Sequence, residues 1–398
     1  MKRFLAIVLA LAMVFALCAC GGNDNNKETD KPDTAAYKVA MITDYGDITD
    51  QSFNQTTYEA CKAFCDKNSV EFKYYKPTAD STAARVEMVE QAVADGFNVI
   101  VMPGFAFAGT IAECQDTYPD VKFIGLDISE FDLYDSFYNH DKDGNRTDLK
   151  DPNNKEHISK NVYCAVYQEE LCGYMAGYAA VKLGYTKLGF LGGMAVPAVI
   201  RYGFGFVQGA DAAAKELDTK IEINYVYGGQ FQGDADITAK MDTWYANGTE
   251  VVFACGGGIY TSAAEAAAKV NAKVIGVDVD QAGIIDGDYG DGITVTSAMK
   301  GLYPATYDTL TDVIVNGKWA DYVGKIETLG LVSGDDPTLN YVQIPMDSTQ
   351  WDDNFTKDDY KALVKAMFDG TVKVSNDTTA MPAVDENHTT VSDQGKIK

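Results

Sequence analysis

Histidine is nearly missing from this 398-residue chain: His140, His157 and His388 are the full set, and each falls in polar loop or tail sequence. Without a histidine paired to serine or cysteine, a nucleophilic triad has no base. No GxxxxGK[ST] and no HExxH occurs, which removes P-loop nucleotide chemistry and the zinc-peptidase helix. Long apolar runs are missing beyond the N-terminus. The longest, residues 4–19, is shorter than the ~20 residues that span a bilayer. Basic side chains are scarce, 33 against 58 acidic ones for a formal net charge of −25, so nucleic acid and anionic membrane surfaces are poor partners. The eight cysteines follow no regular spacing. Cys61, Cys65, Cys114, Cys164, Cys172 and Cys255 mostly sit within apolar runs, which fits buried free thiols better than a disulfide framework.

What is present begins with MKRFLAIVLALAMVFALCAC, where Lys2 and Arg3 precede the apolar stretch. That is the plan of a secretory signal. Leu17-Cys18-Ala19-Cys20 has the lipobox pattern, which implies cleavage after residue 19 and a lipid on the Cys20 thiol. The rival is an ordinary secretory signal cut nearby, and the GGNDNN that follows Cys20 favours the lipid. Residues 20–36 are mostly polar and small, a tether unable to bury a core.

From Tyr37 apolar runs alternate with helical periodicity. YKVAMIT, VEFKYY, NVIVM and VKFIGLD are separated by helical patterns near residues 53–68, 80–95 and 105–117. This βα order predicts a parallel sheet with helices on both faces. A polar insertion at residues 130–160 interrupts it. NVYCAVY, KLGFLGG, IEINYVY, EVVFACGGG and AKVIGVDVD then carry a second α/β unit. Two such units predict lobes facing across a cleft, a favoured place for a ligand.

The stretch DYGDITDQSFNQ, residues 44–55, follows the first strand and opens the first long helix. A loop there lies at the carboxyl edge of the sheet, where open α/β folds bind ligands. Asp44, Asp47 and Asp50 are equally good turn and capping residues, and Phe53 a first core contact. Asp278 follows the apolar run VIGV, where a carboxylate needs a partner.

These motifs carry a resemblance. VAMITDYGDITDQSFNQ, EELCGYMAGYAA, RYGFGFVQG, VIGVDVDQ and VTSAMKG resemble the Bmp (basic membrane protein) lipoproteins, substrate-binding components of ABC importers that include purine-nucleoside receptors. The likeness runs over roughly residues 37–374. It implies an α/β fold of the periplasmic-binding-protein class I type, two doubly wound lobes joined by three hinge crossings. Residues 37–160 and about 281–318 would form lobe I, and 161–280 and about 319–346 lobe II. Residues 347–376 would be a C-terminal helix and extension, and 377–398 a disordered tail.

By the same resemblance Asp44 and Asn54 bond the base edge and Phe53 stacks on it. Asp127 reaches the ligand, Gly256 or Gly257 admits backbone, Asp278 takes two ribose hydroxyls, and Lys300 contacts the sugar from a hinge-side loop. The second aromatic wall is Phe231, expected to open a helix, or else Phe206. Tyr45, Phe105, Tyr202 and Tyr260 are further candidates for the cleft. The implied function is a lipid-anchored receptor on the extracytoplasmic face of the cell membrane. It would be monomeric, non-enzymatic and without metal or cofactor, and would pass purine nucleosides to ABC permease subunits. A sugar or polyol receptor of the same fold, a surface interaction lipoprotein and a carboxylate-bearing nucleoside-cleaving enzyme are the alternatives. Asp47 and Gln51 depart from the family pattern, where glycine and lysine are usual.

Overall fold

The computed structural model describes residues 34–142 and 144–397; the signal segment, Cys20 and most of the tether lie outside them. The first βα series runs β1 (Lys38–Ile42), α1 (Phe53–Asn68), β2 (Glu71–Tyr75), α2 (Thr82–Ala94), β3 (Val99–Pro103), α3 (Ala108–Cys114) and β4 (Lys122–Leu126). Residues 130–160 then form α4 (Glu130–Asp135) and a hairpin of β5 (Tyr138–His140) and β6 (Arg146–Leu149), followed by β7 (Val162–Tyr167). The second series is α5 (Glu169–Lys182), β8 (Lys187–Gly192), α6 (Pro197–Glu216), β9 (Ile221–Tyr227), α7 (Ala235–Ala246), β10 (Val251–Cys255), α8 (Tyr260–Ala268), β11 (Lys273–Asp278), α9 (Ala282–Tyr289) and β12 (Thr294–Lys300). The chain closes with α10 (Leu302–Leu310), β13 (Lys325–Leu329), β14 (Val342–Gln343), α11 (Lys357–Phe368) and β15 (Thr389–Lys396).

Two sheets result. One has the order β13-β7-β4-β3-β1-β2 and is parallel throughout. The other has the order β14-β12-β11-β10-β8-β9-β15, with only β14 antiparallel to its neighbour. Central strands β3 (VIVMP) and β10 (VVFAC) are buried along their whole length, because helices cover both faces of a parallel sheet. The edge strand β2 (EFKYY) keeps most of its residues in solvent, which blunts further pairing.

The chain crosses between lobes three times, after β7, after β12 and after β13, but the expected boundaries are shifted by one strand at each place. β7 and β13 belong to lobe I rather than lobe II, and β12 belongs to lobe II rather than lobe I. Lys300 is therefore the last residue of a lobe II strand, not part of a loop or of the following helix, which starts at Leu302. The tail was expected to be disordered, yet β15 adds to the free edge of β9 with five paired residues from Thr389 to Asp393. Backbone hydrogen bonds along an open edge order a strand that is otherwise polar.

In lobe II the helices α5 and α6 pack backbone to backbone. A Cβ on Gly205 would sit 2.1 Å from the Glu170 carbonyl oxygen, and one on Gly173 would sit 2.2 Å from that of Tyr202. This contact holds the N-terminal halves of the two helices together. Gly205→Ala must push them apart, an overpacking cost of about 1–3 kcal/mol. The melting temperature should drop by several degrees, while Gly283→Ala on α9, with nothing within 4 Å, should not lower it. A Gly205→Ala variant that melts with the parent protein would contradict the close packing.

Candidate functional site

The loop after β1 is held by its own carboxylates. Asp44 Oδ1 accepts the amide N–H groups of Tyr45 at 2.6 Å and Gly46 at 2.7 Å. Asp50 accepts from the amides of Ser52, Asn54 and Gln55 at 2.9–3.1 Å, and so caps α1 in place of Ser52, the residue at the cap position. Burial raises the Asp50 pKa even though these N–H groups oppose it. The Asn54 side chain donates to both Asp44 and Asp50 at 3.1 Å, so its amide is engaged within the loop. Among the described residues Asp44 Oδ2 makes no such bond. Asp47, one of the two departures from the family pattern, pairs with Lys76 at 2.8 Å.

Ser52, released from capping, donates across the cleft to Asp278 Oδ2 at 2.5 Å. Gln281 Nε2 reaches the Gln51 carbonyl at 3.2 Å, and Lys300 Nζ reaches Asp127 Oδ2 at 2.5 Å. These contacts join the lobes around a shared polar cluster. An aspartate in the left-handed region directly follows β4 and another ends β11, Asp127 with φ 58° and Asp278 with φ 64°. A side chain rarely adopts that conformation, and aspartate is among the few that tolerate it. The turn directs both carboxylates toward Lys300, which lies 3.6 Å from Asp278 Oδ1 and 3.6 Å from Glu169 Oε1. Burial alone would lower the Lys300 pKa, but Asp127, Asp278 and Glu169 outweigh it and hold the amine firmly charged. Burial pushes Asp127 up to about 7, with Lys300 pulling the other way.

Glu169 and Arg201 were not anticipated. Glu169, fully buried at the start of α5, accepts from Arg201 Nε at 2.7 Å. In sequence, EE after an apolar strand reads as ordinary acidic residues in a first helical turn, and Arg201 lies within a pattern that looks like a helix surface. Only the α5–α6 contact joins them.

The aromatic walls come from opposite lobes. Phe53 opens α1, and Lys300 Nζ lies 4.5 Å from its ring centroid. Phe231 lies in the loop before α7 rather than at a helix start. A Cβ on Gly193 or Gly256 would fall 2.3 or 2.8 Å from its ring, so these glycines make the slot in which the ring rests. Phe206 is fully buried and packs on Phe253 with 5.5 Å between centroids; it is a core residue.

Between the walls is a cavity of about 320 Å³, at the small end of the range for ligand sites. Asp44, Phe53, Asn54, Asp127, Phe231, Gly256, Gly257, Asp278 and Lys300 all line it, as do Tyr45, Phe105, Tyr202 and Arg201. Tyr260 is instead packed in the helical layer beside α7 and α9. The chemistry on offer is a cavity lined by one phenylalanine from each lobe, with carboxylate acceptors and the Lys300 and Arg201 cations among its lining. No helix among the described residues is long and apolar enough to cross a membrane.

Comparison with known proteins agrees with this architecture. The chain is 27% identical over 294 residues to the ABC transporter nucleoside-binding protein BmpA of Lactococcus lactis, covering 70% of this chain and 74% of that one. It is 25% identical over 337 residues to an uncharacterized lipoprotein of Pyrococcus abyssi, covering 81% and 72%. A solute-binding protein of an ABC transporter system from Aeropyrum pernix superposes with a TM-score of 0.62 at 19% identity, covering 86% of this chain and 88% of that one. That likeness speaks for the two-lobed fold alone. The family model for PnrA-like ABC transporter substrate-binding proteins matches residues 37–344, and the chain belongs to this Bmp family.

Proposed function

We propose that the cleft captures a purine nucleoside and that the protein presents it to the permease subunits of an ABC importer. The observation that carries this reading is the pairing, in one cavity, of Phe53 and Phe231 from opposite lobes with the Asp127–Lys300–Asp278 cluster. A purine offers two flat π faces, which suits a slot closed by aromatic rings. One face of Phe53 is taken by the Lys300 cation, and the other is the surface proposed for the base. Asp44 Oδ2 is the acceptor proposed for a base N–H, with Asn54 holding that carboxylate in place. Each carboxylate oxygen has two lone pairs, so Asp278 can take sugar hydroxyls in addition to Ser52 and Tyr202, which donates at 3.1 Å. The name of the Lactococcus lactis relative supports the ligand class. Cys20 is proposed as the lipid attachment site, placing the protein on the extracytoplasmic face of the cell membrane as a monomer, with no catalytic step of its own.

A thermal-shift screen against inosine, guanosine, adenosine, free bases and simple sugars checks the ligand class. A true ligand at 100 times its dissociation constant stabilises the native state by about 2.7 kcal/mol. Nucleosides should raise the melting temperature by several degrees; a shift with sugars alone would overturn the proposal in favour of a sugar receptor.

A further inference from the structure

The C-terminal strand β15 is lightly anchored, with one charged pin at its entry. Only Thr389 among its residues is buried, and a polar strand on a sheet edge opens locally at low cost. The turn before it does much of the holding. His388 and Thr389 donate their main-chain N–H groups to the Asp385 carbonyl at 2.9 and 2.8 Å, and the Asp385 N–H donates to Asp211 Oδ1 on α6 at 3.0 Å. The Ile221 N–H then reaches the His388 carbonyl at 2.7 Å and starts the ladder between β9 and β15. At this same point the His388 ring spans two chain segments. Its Nδ1 is 3.1 Å from Asp385 Oδ2, and its Nε2 is 3.1 Å from Asp218 Oδ1 in the turn between α6 and β9.

A carboxylate only accepts, and a neutral imidazole carries a single N–H. Both contacts are hydrogen bonds only when both ring nitrogens are protonated; a neutral ring sets a lone pair against one of the carboxylates. Asp218 and Asp385 accordingly hold the His388 pKa above the ordinary histidine value. The other charged groups around the ring are Lys187 on β8, Lys220 and Glu222 at the start of β9, and Glu386 in the entry turn. Asp211 and Lys215 pair with each other on α6 behind Asp385. Of the side-chain types in this cluster, histidine is the one that titrates near neutral pH. We propose that His388 is a pH-sensitive latch: charged, it pins the entry of β15 to the α6–β9 turn, and on losing its proton it lets β15 lift off β9. Because the folded ring holds its proton more tightly than a free histidine, the latch contributes fully below about pH 6.5 and is lost as pH rises through the raised value. Release bares a row of N–H and C=O groups on β9 to another strand. That edge is on the opposite side of the lobe II sheet from β12, the strand that carries Lys300, so the latch does not rest on the nucleoside reading.

Hydrogen exchange of the intact protein at pH 6.0 and 8.5, corrected for the intrinsic rate at each pH, tests this. The amides of Ile221 and Ile397 bond across the β9–β15 seam. Their protection should fall about three- to tenfold at the higher pH, the scale of two exposed ion pairs, while that of the central strand β10 holds. H388Q has no titrating ring and should show the weaker protection at both pH values. D218N keeps the left-handed turn, φ 49° at this position, but leaves the ring one carboxylate that a single N–H satisfies, so its pH step should shrink to less than about twofold. His140 and His157, paired with Asp135 and Asp116 in lobe I, are unchanged in both variants. A step that persists in H388Q or stays undiminished in D218N would overturn the latch, as would a parent protein whose seam protection is the same at both pH values.

Discussion

Phe53→Ala and Phe231→Ala should each weaken inosine binding by roughly one to two orders of magnitude and leave the ligand-free melting temperature nearly unchanged. Base–aromatic stacking is worth about 1–3 kcal/mol per base, and each 1.4 kcal/mol is tenfold in affinity. Both rings are only partly buried in this structure, so truncation removes little core packing. Leucine at either position should restore part of the affinity, because it returns apolar area without a flat face. Phe206→Ala is the contrast: a fully buried phenylalanine packed on Phe253 costs about 3–5 kcal/mol of stability when cut to alanine. Titration calorimetry paired with ligand-free melting curves separates the two behaviours. If Phe231→Ala instead lost stability and kept affinity, the second wall would be misassigned.

Asp278→Asn should have the other large effect, about a 100-fold loss of affinity for inosine with little change for the free base hypoxanthine. Asparagine matches aspartate in shape and tolerates the φ of 64° found here, so the backbone turn survives. What changes is charge. Hydrogen bonds to a charged acceptor are worth about 1.5–3 kcal/mol against 0.5–1.5 for neutral ones, and the proposed carboxylate takes two hydroxyls. The substitution also removes one of the three carboxylates around Lys300; Asp127 and Glu169 remain to hold the cation. Equal affinity of the variant and the parent protein for inosine would refute the ribose role.

The residues of the cavity were legible where one local pattern sufficed. Strand, Gly/Asp-rich loop and helix N-terminus placed Asp44, Phe53 and Asn54 at a sheet edge, and VIGVD announced an acid at the end of a buried strand. Phe231 was anticipated, but from an expected helix start; its actual support is the space left by Gly193 and Gly256, which no local pattern reveals. The assignment of β7, β12 and β13 to sheets was not legible either. A run such as VYCAVY is apolar in whichever parallel sheet it joins, and strand partners are set by crossings that the run itself does not encode. Glu169 and Arg201 escaped because a buried ion pair between two helices has the same sequence appearance as two solvated charges. β15 escaped because TTVSDQGK lacks the apolar alternation of a half-buried strand and is ordered chiefly by the edge of β9.

On the proposed function one cleft reads base and sugar together, the base through Phe53 and Phe231 and the sugar through Asp278, Lys300 and Asp127. The most direct measurement is calorimetric titration of the same protein preparation with inosine, hypoxanthine and ribose in turn. Inosine should bind at least 100-fold more tightly than either fragment, as expected when two charge-assisted sugar contacts and one stacked base act in a single site. Comparable dissociation constants for inosine and hypoxanthine, or for inosine and ribose, would contradict it.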